Sequence, residues 1–371
     1  MLDGNVCVSL PIDCVHIGCS TAVFKCFIIY FSSQAYNPIH CFLVQLTTQG
    51  IHMLFITNRE PKGSIKTKKG RVFKFDLEKN SPSNSVYFCA RNKKNNYTEI
   101  GSTQFFSNLK TCKAQQLLLF IHGFSSLPEP DIFPKAKELQ QLFDQKDENL
   151  VQVIPIIWPC DNDFGIVKDY WDDQKSADKS AYSFSRVFQH FMKWRDNQPE
   201  DDPCLKRINL LAHSMGNRIL RETLAKWDRY DLAEGVPLLF RNTILMAADI
   251  VNESLERREK GRLISHASRN VSVYFASDDY VLRSSKIPNL KHKVASRRLG
   301  HTGPEDMSKV PTNVYAIDCD NFNNFYDKPK GHTYFLKDDK GNPGVVFEHM
   351  YNTIKTGRVS VYDENKRKHI L

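Results

Sequence analysis

From Met53 onward, short apolar runs alternate with helix-length amphipathic stretches, and this alternation dictates a mainly parallel central sheet covered by helices on both faces. The runs are Leu54 to Thr57, Val86 to Ala90, Gln116 to Ile121, Val151 to Trp158, Ile208 to Ala212, Thr243 to Ala247, Val271 to Ala276 and Val314 to Ile317, which predicts an α/β fold with a sheet of about eight strands. Several are nearly continuous in Val, Ile and Leu, as strands buried on both faces require. Between them, Phe184, Phe188 and Phe191 fall on one face of a helix and read as core packing. Further helices are expected over Pro134 to Phe143, Arg218 to Trp227 and Val345 to Ile354. No repeat or low-complexity linker divides residues 53–371, so they read as one domain.

Residues 1–52 are set apart by composition, because Asp3, Asp13 and Lys25 are their only charged side chains. The run Ala22 to Phe31 is too short to span a bilayer and is interrupted by Lys25, and no secretion signal is recognisable. The expectation is an irregular N-terminal extension, with Met53 opening the folded domain. Of the ten cysteines, five lie in the first 45 residues and none forms a C-x-x-C pair, so reduced thiols in a cytoplasmic protein are expected. Neither a metal nor an organic cofactor is called for. The net charge of +9 is concentrated between Arg59 and Lys94, where Glu60, Asp76 and Glu78 are the only acids. That stretch reads as a solvated loop; an anionic membrane surface is the weaker alternative, and nucleic acid is not expected because no aromatic interleaving accompanies the charge.

The strongest chemical signal is Arg207 to Arg218, RINLLAHSMGNR, in which an apolar strand runs into a sharp turn at Ser214 and then into a helix. This is the context of a nucleophile elbow. Small residues two before and two after the serine, here Ala212 and Gly216, are needed because strand and helix backbones come close. A second signal, LLLFIHGF at Leu117 to Phe124, also ends a strand, and it supplies the loop from which an oxyanion hole takes one backbone N–H. Phe124 and Met215 are the expected donors. Gly123 is read as letting the loop turn, and His122 as structural. A carboxylate and then a histidine should follow in chain order. After Val271 to Ala276, Asp279 is favoured as the acid, Asp278 reads as a turn cap, and Asp249 is the fallback. His332, in a loop before the final helix, is favoured as the base over His301.

Together these residues resemble a largely bacterial branch of the α/β-hydrolase superfamily, catalogued as a domain of unknown function and described as esterases or lipases. The resemblance spans about residues 53–355. It rests on Thr57-Asn58-Arg59, on IHGF at Ile121 to Phe124, and on Trp158-Pro159-Cys160 where the family usually has Trp-Pro-Ser. It continues through Tyr170, Asp173 and Ala177, AHSMGN at Ala212 to Asn217, Ala248-Asp249-Ile250, Asp279-x-x-Leu282 and Gly331-His332-Thr333-Tyr334. It implies the α/β-hydrolase fold and a triad of Ser214, Asp279 and His332. Cys160 for serine and Ala248 for proline depart from the pattern outside that set.

The expected chemistry is therefore acyl transfer from a small-molecule ester to water through an acyl-enzyme on Ser214. The segment Asp161 to Ala181 is expected to help shape the acyl pocket. Two other readings use the same features. One is a catalytically silent scaffold that binds a partner; the other is an acyltransferase or lipase using the same triad.

Overall fold

A computed structural model of the chain describes residues 53–160, 166–230, 235–283 and 297–371. The N-terminal extension and residues 161–165 of the expected pocket segment lie outside them. Among the described residues the sheet has eleven strands. In chain order they are β1 (Met53–Arg59), β2 (Val72–Phe73), β3 (Pro82–Lys93), β4 (Asn96–Glu99), β5 (Gln116–Ile121), β6 (Val151–Ile157), β7 (Arg207–His213), β8 (Phe240–Met246), β9 (Ser268–Phe275), β10 (Val314–Asp318) and β11 (Lys368–Ile370). Their spatial order is β11-β10-β9-β8-β7-β5-β6-β1-β3-β4-β2. Pairing is parallel from β11 through β1 and antiparallel from β1 outward to β2. The expectation of about eight strands thus falls short by β2, β4 and β11, each at or near a sheet edge and of two to four residues.

Period-two alternation sends successive side chains of the central strands into two separate cores. Leu117 and Ile121 of β5, and Leu210 and Ala212 of β7, enter one core. Leu118, Phe120 and Leu211 enter the other. The first core is closed by helices Ser102–Thr111, Ile166–Asp196 and Gly216–Tyr230, the second by helices Phe133–Lys146 and Val345–Thr356. The phenylalanine stripe of the long helix packs as expected: Phe188 stacks on Trp227 at 5.3 Å, and Phe191 meets Phe106 at 5.6 Å. Phe184 and Phe188, which are buried, each contribute about 1.5–3 kcal/mol by leaving water; Phe191 is only partly buried and contributes less.

A buried amide ladder fixes register at the start of the strands. Asn242 Nδ2 donates to Asn209 Oδ1 at 2.8 Å and Asn270 Nδ2 to Asn242 Oδ1 at 2.9 Å, while Asn209 Nδ2 donates to Gln116 Oε1 at 3.1 Å. A one-residue slip of any of β5, β7, β8 or β9 would strand these amides in an apolar core. The ladder leaves the opposite, carboxyl ends of the strands as the place where loops gather, which is where sheets of this kind carry their sites. Among the described residues no helix is long and apolar enough to cross a membrane.

Candidate active site

Ser214 follows β7 directly and adopts φ 53°, a left-handed backbone that costs a side-chain-bearing residue about 1–3 kcal/mol. The turn is over-determined by its surroundings. The Ser214 N–H donates to the Met246 carbonyl at 3.0 Å, and the Ser214 carbonyl accepts from the Asp249 N–H at 3.2 Å. The fully buried Asn217 amide straps the elbow, donating to the carbonyls of Ala212 at 3.0 Å and Ser214 at 2.9 Å. Gly216 opens the helix where a Cβ would lie 2.6 Å from the Ile121 carbonyl oxygen and 2.7 Å from that of His122. Only glycine permits this helix to start so close to the end of β5.

The loop after β5 passes against the serine. A Cβ on Gly123 would stand 2.9 Å from Ser214 Cβ and 3.4 Å from Oγ, so close approach is what requires glycine here. Gly123 does not have a left-handed φ, so what the geometry requires of it is the close approach rather than backbone handedness. The loop is held by side chains from three directions. Ser125 N–H donates to Asp173 Oδ2 at 3.1 Å, Ser126 N–H to Cys160 Sγ at 3.3 Å, and Leu127 N–H to Asp131 Oδ2 at 2.8 Å. Cys160 Sγ donates back to the Ser126 carbonyl at 3.1 Å, and the fully buried Arg59 holds the Cys160 carbonyl at 2.8 Å. The Phe124 amide donates to no group among the described residues, and neither does that of Met215. Met215 follows Ser214 directly in the chain, and Phe124 follows Gly123, the residue that packs against the serine.

His122 is structural. Its Nε2 accepts from the Trp158 N–H at 3.2 Å, so its Nδ1–H faces the Gly123 carbonyl at 2.7 Å, and its ring stacks on the Trp158 indole. Burial holds its pKa down to about 3, and it stays neutral.

Among the three carboxylates considered from sequence, Asp279 meets the histidine. His332 Nδ1 lies 2.7 Å from Asp279 Oδ2, with Asp279 fully buried and His332 7% exposed. The other oxygen of Asp279 caps the turn at 280–283, accepting the Leu282 N–H at 2.9 Å. The two oxygens thus have fixed and separate duties. The His332 N–H and the Thr333 N–H both donate to Asp327 Oδ2, at 2.8 and 2.7 Å. Asp278, expected as a turn cap, instead ties the acid loop to the histidine loop by accepting from Asn323 Nδ2 at 2.6 Å and from Asn324 Nδ2. Asp249 is engaged elsewhere. It accepts the Tyr170 hydroxyl at 2.7 Å and pairs with Arg298 Nε at 3.2 Å, an approach close enough for an ion pair but not aimed as a hydrogen bond. His301 lies in the short helix Leu299–Thr302.

The elbow and the histidine loop touch through His213. Its Nε2–H donates to the His332 carbonyl at 3.1 Å, and the two rings are 4.7 Å apart. Burial first, then the His332 ring and Lys135, hold the His213 pKa well below its ordinary value. Among the described residues Ser214 Oγ and His332 are not hydrogen-bonded to each other. Such contacts are commonly long without substrate and tighten when it binds. No group of three or more His, Cys, Asp or Glu side chains among the described residues could hold a metal ion.

The sequence left Asn217, Asp278 and Asp327 without these roles, and Asp173 and Cys160 as motif members alone. The Asp-Asp-Tyr and His-Ser-Met-Gly-Asn strings are visible in the sequence; that Asp173 reaches Ser125 and Asp278 reaches Asn323, across 48 and 45 residues of chain, is not.

A family model described as alpha/beta hydrolase of unknown function (DUF900) matches residues 99–341, a span that contains Phe124, Ser214, Asp279 and His332. No curated protein matches. Among solved structures the chain is similar to phospholipase PlaB from Legionella pneumophila in complex with thio-NAD, at 16% identity and a TM-score of 0.26, over 57% of this chain and 39% of that one. The chain therefore spans about two fifths of the length of that protein.

Proposed function

We propose, from the premise that this chain belongs to the alpha/beta hydrolase family of unknown function, that it is a serine hydrolase acting on carboxylic esters. The observation that carries this reading is the buried 2.7 Å contact of His332 Nδ1 with Asp279, on a loop joined to an elbow that holds Ser214 at φ 53°. With Nδ1–H committed to the carboxylate, Nε2 is left with the lone pair that a general base needs.

In the proposed reaction His332 Nε2 takes the Ser214 hydroxyl proton as Oγ attacks the ester carbonyl. The resulting oxyanion accepts from the unused N–H groups of Phe124 and Met215, and Asp279 stabilises the imidazolium. His332 returns the proton to the departing alcohol, leaving the acyl group on Ser214. Water, deprotonated by the same nitrogen, then releases the acid and restores the serine. Tyr170, whose ring meets that of Phe124 edge-on at 5.7 Å, gives the helix Ile166–Asp196 a part in shaping the acyl pocket.

A series of p-nitrophenyl esters of rising chain length tests this reading. The intact chain is expected to hydrolyse them with saturation, and Ser214→Ala to lower kcat by about 10³-fold or more. Equal hydrolysis by the two proteins would remove Ser214 as the nucleophile.

A further inference from the structure

At the amino ends of the strands, opposite Ser214, a cleft of about 320 Å³ is lined by Arg195, Lys206, Arg207, Arg241 and Arg269 and by no carboxylate. The sheet builds it. Arg207 begins β7, Arg241 is the second residue of β8, and Arg269 the second of β9. The parallel register pairs Phe240 with Ser268 and Asn242 with Asn270, so Arg241 and Arg269 stand side by side, with Arg207 at the start of the next strand. Like charges on neighbouring strands destabilise a sheet unless something of opposite sign offsets them.

Little in the chain supplies that offset. Arg195 has Asp196 at 3.3 Å. The Lys206 ammonium donates to the carbonyls of Cys112, at 2.7 Å, and Ala114, and Arg241 donates to Gln116 Oε1 at 3.2 Å and to the Thr356 carbonyl at 3.0 Å, which orders both side chains without neutralising them. Arg207 and Arg269 are exposed and have no ion-pair or side-chain hydrogen-bond partner among the described residues. Burial, and then the charges of Arg207 and Arg269, lower the pKa of Arg241, in keeping with unrelieved repulsion. The walls are apolar. Phe191, Ile208, Leu238 and Leu239 line the cleft, and Leu238 is 66% exposed.

We propose that this cleft binds an organic phosphate: the phosphate oxygens taken by the row of Arg207, Arg241 and Arg269, the organic body laid against Phe191, Ile208 and Leu238. Three guanidiniums with two unpaired suit a dianion or diphosphate better than a single carboxylate, because each planar fork can take two oxygens of a phosphate group. The volume is that of a small-molecule site. The phosphate could be that of a free metabolite or of a lipid headgroup, and the two sources separate in the test.

The test titrates the full chain with inorganic pyrophosphate by calorimetry. Saturable binding is expected, weakened about tenfold or more in Arg207→Gln/Arg269→Gln, in line with the loss of two charge-assisted forks. Ser214→Ala, and Lys93→Gln/Lys94→Gln on a distant exposed turn, should bind as the parent does. Pyrophosphate should also raise the unfolding temperature of the parent but not of the arginine double variant, and the single Arg269→Gln should fall between them. Co-sedimentation with phosphatidylcholine vesicles containing phosphatidic acid, lost in the arginine variant and competed by pyrophosphate, would identify a lipid headgroup; pyrophosphate binding without co-sedimentation would identify a free phosphate. The proposal is overturned by absence of saturable binding, by unchanged affinity in the arginine variant, or by equal loss in the lysine control.

Discussion

Asp249 and Asp279 are both buried at the carboxyl ends of strands, and their partners assign them opposite kinds of work. Asp279 spends one oxygen on His332 and the other on a turn; Asp249 is spent on Tyr170 and Arg298. Asp279→Asn should therefore leave the chain folded and lower kcat on a p-nitrophenyl ester by about 10⁴-fold, as expected when a histidine loses the partner that sets its tautomer. Asp249→Asn should do the reverse, leaving most of kcat but destabilising by about 3–5 kcal/mol through an uncompensated buried arginine. Urea melts and kcat on the same two proteins decide between these assignments, and a larger kcat loss in Asp249→Asn would exchange them. Chain order and strand context brought the acid down to three candidates. The choice among them needed Asn323, Asn324 and Tyr170, which lie 45, 46 and 79 residues from the aspartates they bond and carry no local pattern.

Elements with a strong period were legible, and those without one were not. The runs that became β5, β7, β8 and β9 are mostly apolar, and the structure keeps the bounds of β5 and moves the ends of the other three by one to three residues. Strands β2 and β11 have one buried side chain each and β4 alternates over only four residues, so their sequences offered no signal above that of a loop. Helix Ser102–Thr111 was missed although Phe105, Phe106 and Leu109 sit on one face and Gly101 marks its start. The basic stretch after β1 is only in part a solvated loop: Arg59 is fully buried, Arg71 pairs with Glu99 at 2.7 Å, and Arg91 with Glu129 at 2.9 Å. Where β5 and helix Gly216–Tyr230 meet, contact is through backbone, so the element junction itself can be tested. Gly216→Ala should cost about 1–3 kcal/mol or more, because its Cβ would meet two carbonyl oxygens rather than a movable side chain. Denaturant unfolding checks this, and a melt unchanged from the parent would mean that the helix start can shift at no cost.

For the molecule as a whole, neutral buried histidines tie stability to pH. His122, held to about 3, and His213, held well below its usual value, remain unprotonated in the fold while an unfolded chain binds protons near pH 6.5. The unfolded state then carries more protons, so stability rises with pH in this window and is lost as pH falls below about 6.5, by up to ~1.4 kcal/mol per pH unit for each histidine. Urea midpoints between about pH 7.5 and pH 5 should fall steeply; a flat profile would mean that these rings become charged in the native state. The same packing that keeps His122 and His213 neutral brings the elbow, the loop after β5, Asp279 and His332 to one end of the sheet, and one reagent tests directly whether they act together as proposed. Labelling of the intact chain with a fluorophosphonate probe should modify one residue, Ser214, with labelling abolished in Ser214→Ala and strongly slowed in His332→Ala. Absence of labelling in well-folded protein, or labelling that persists in Ser214→Ala, would contradict the account.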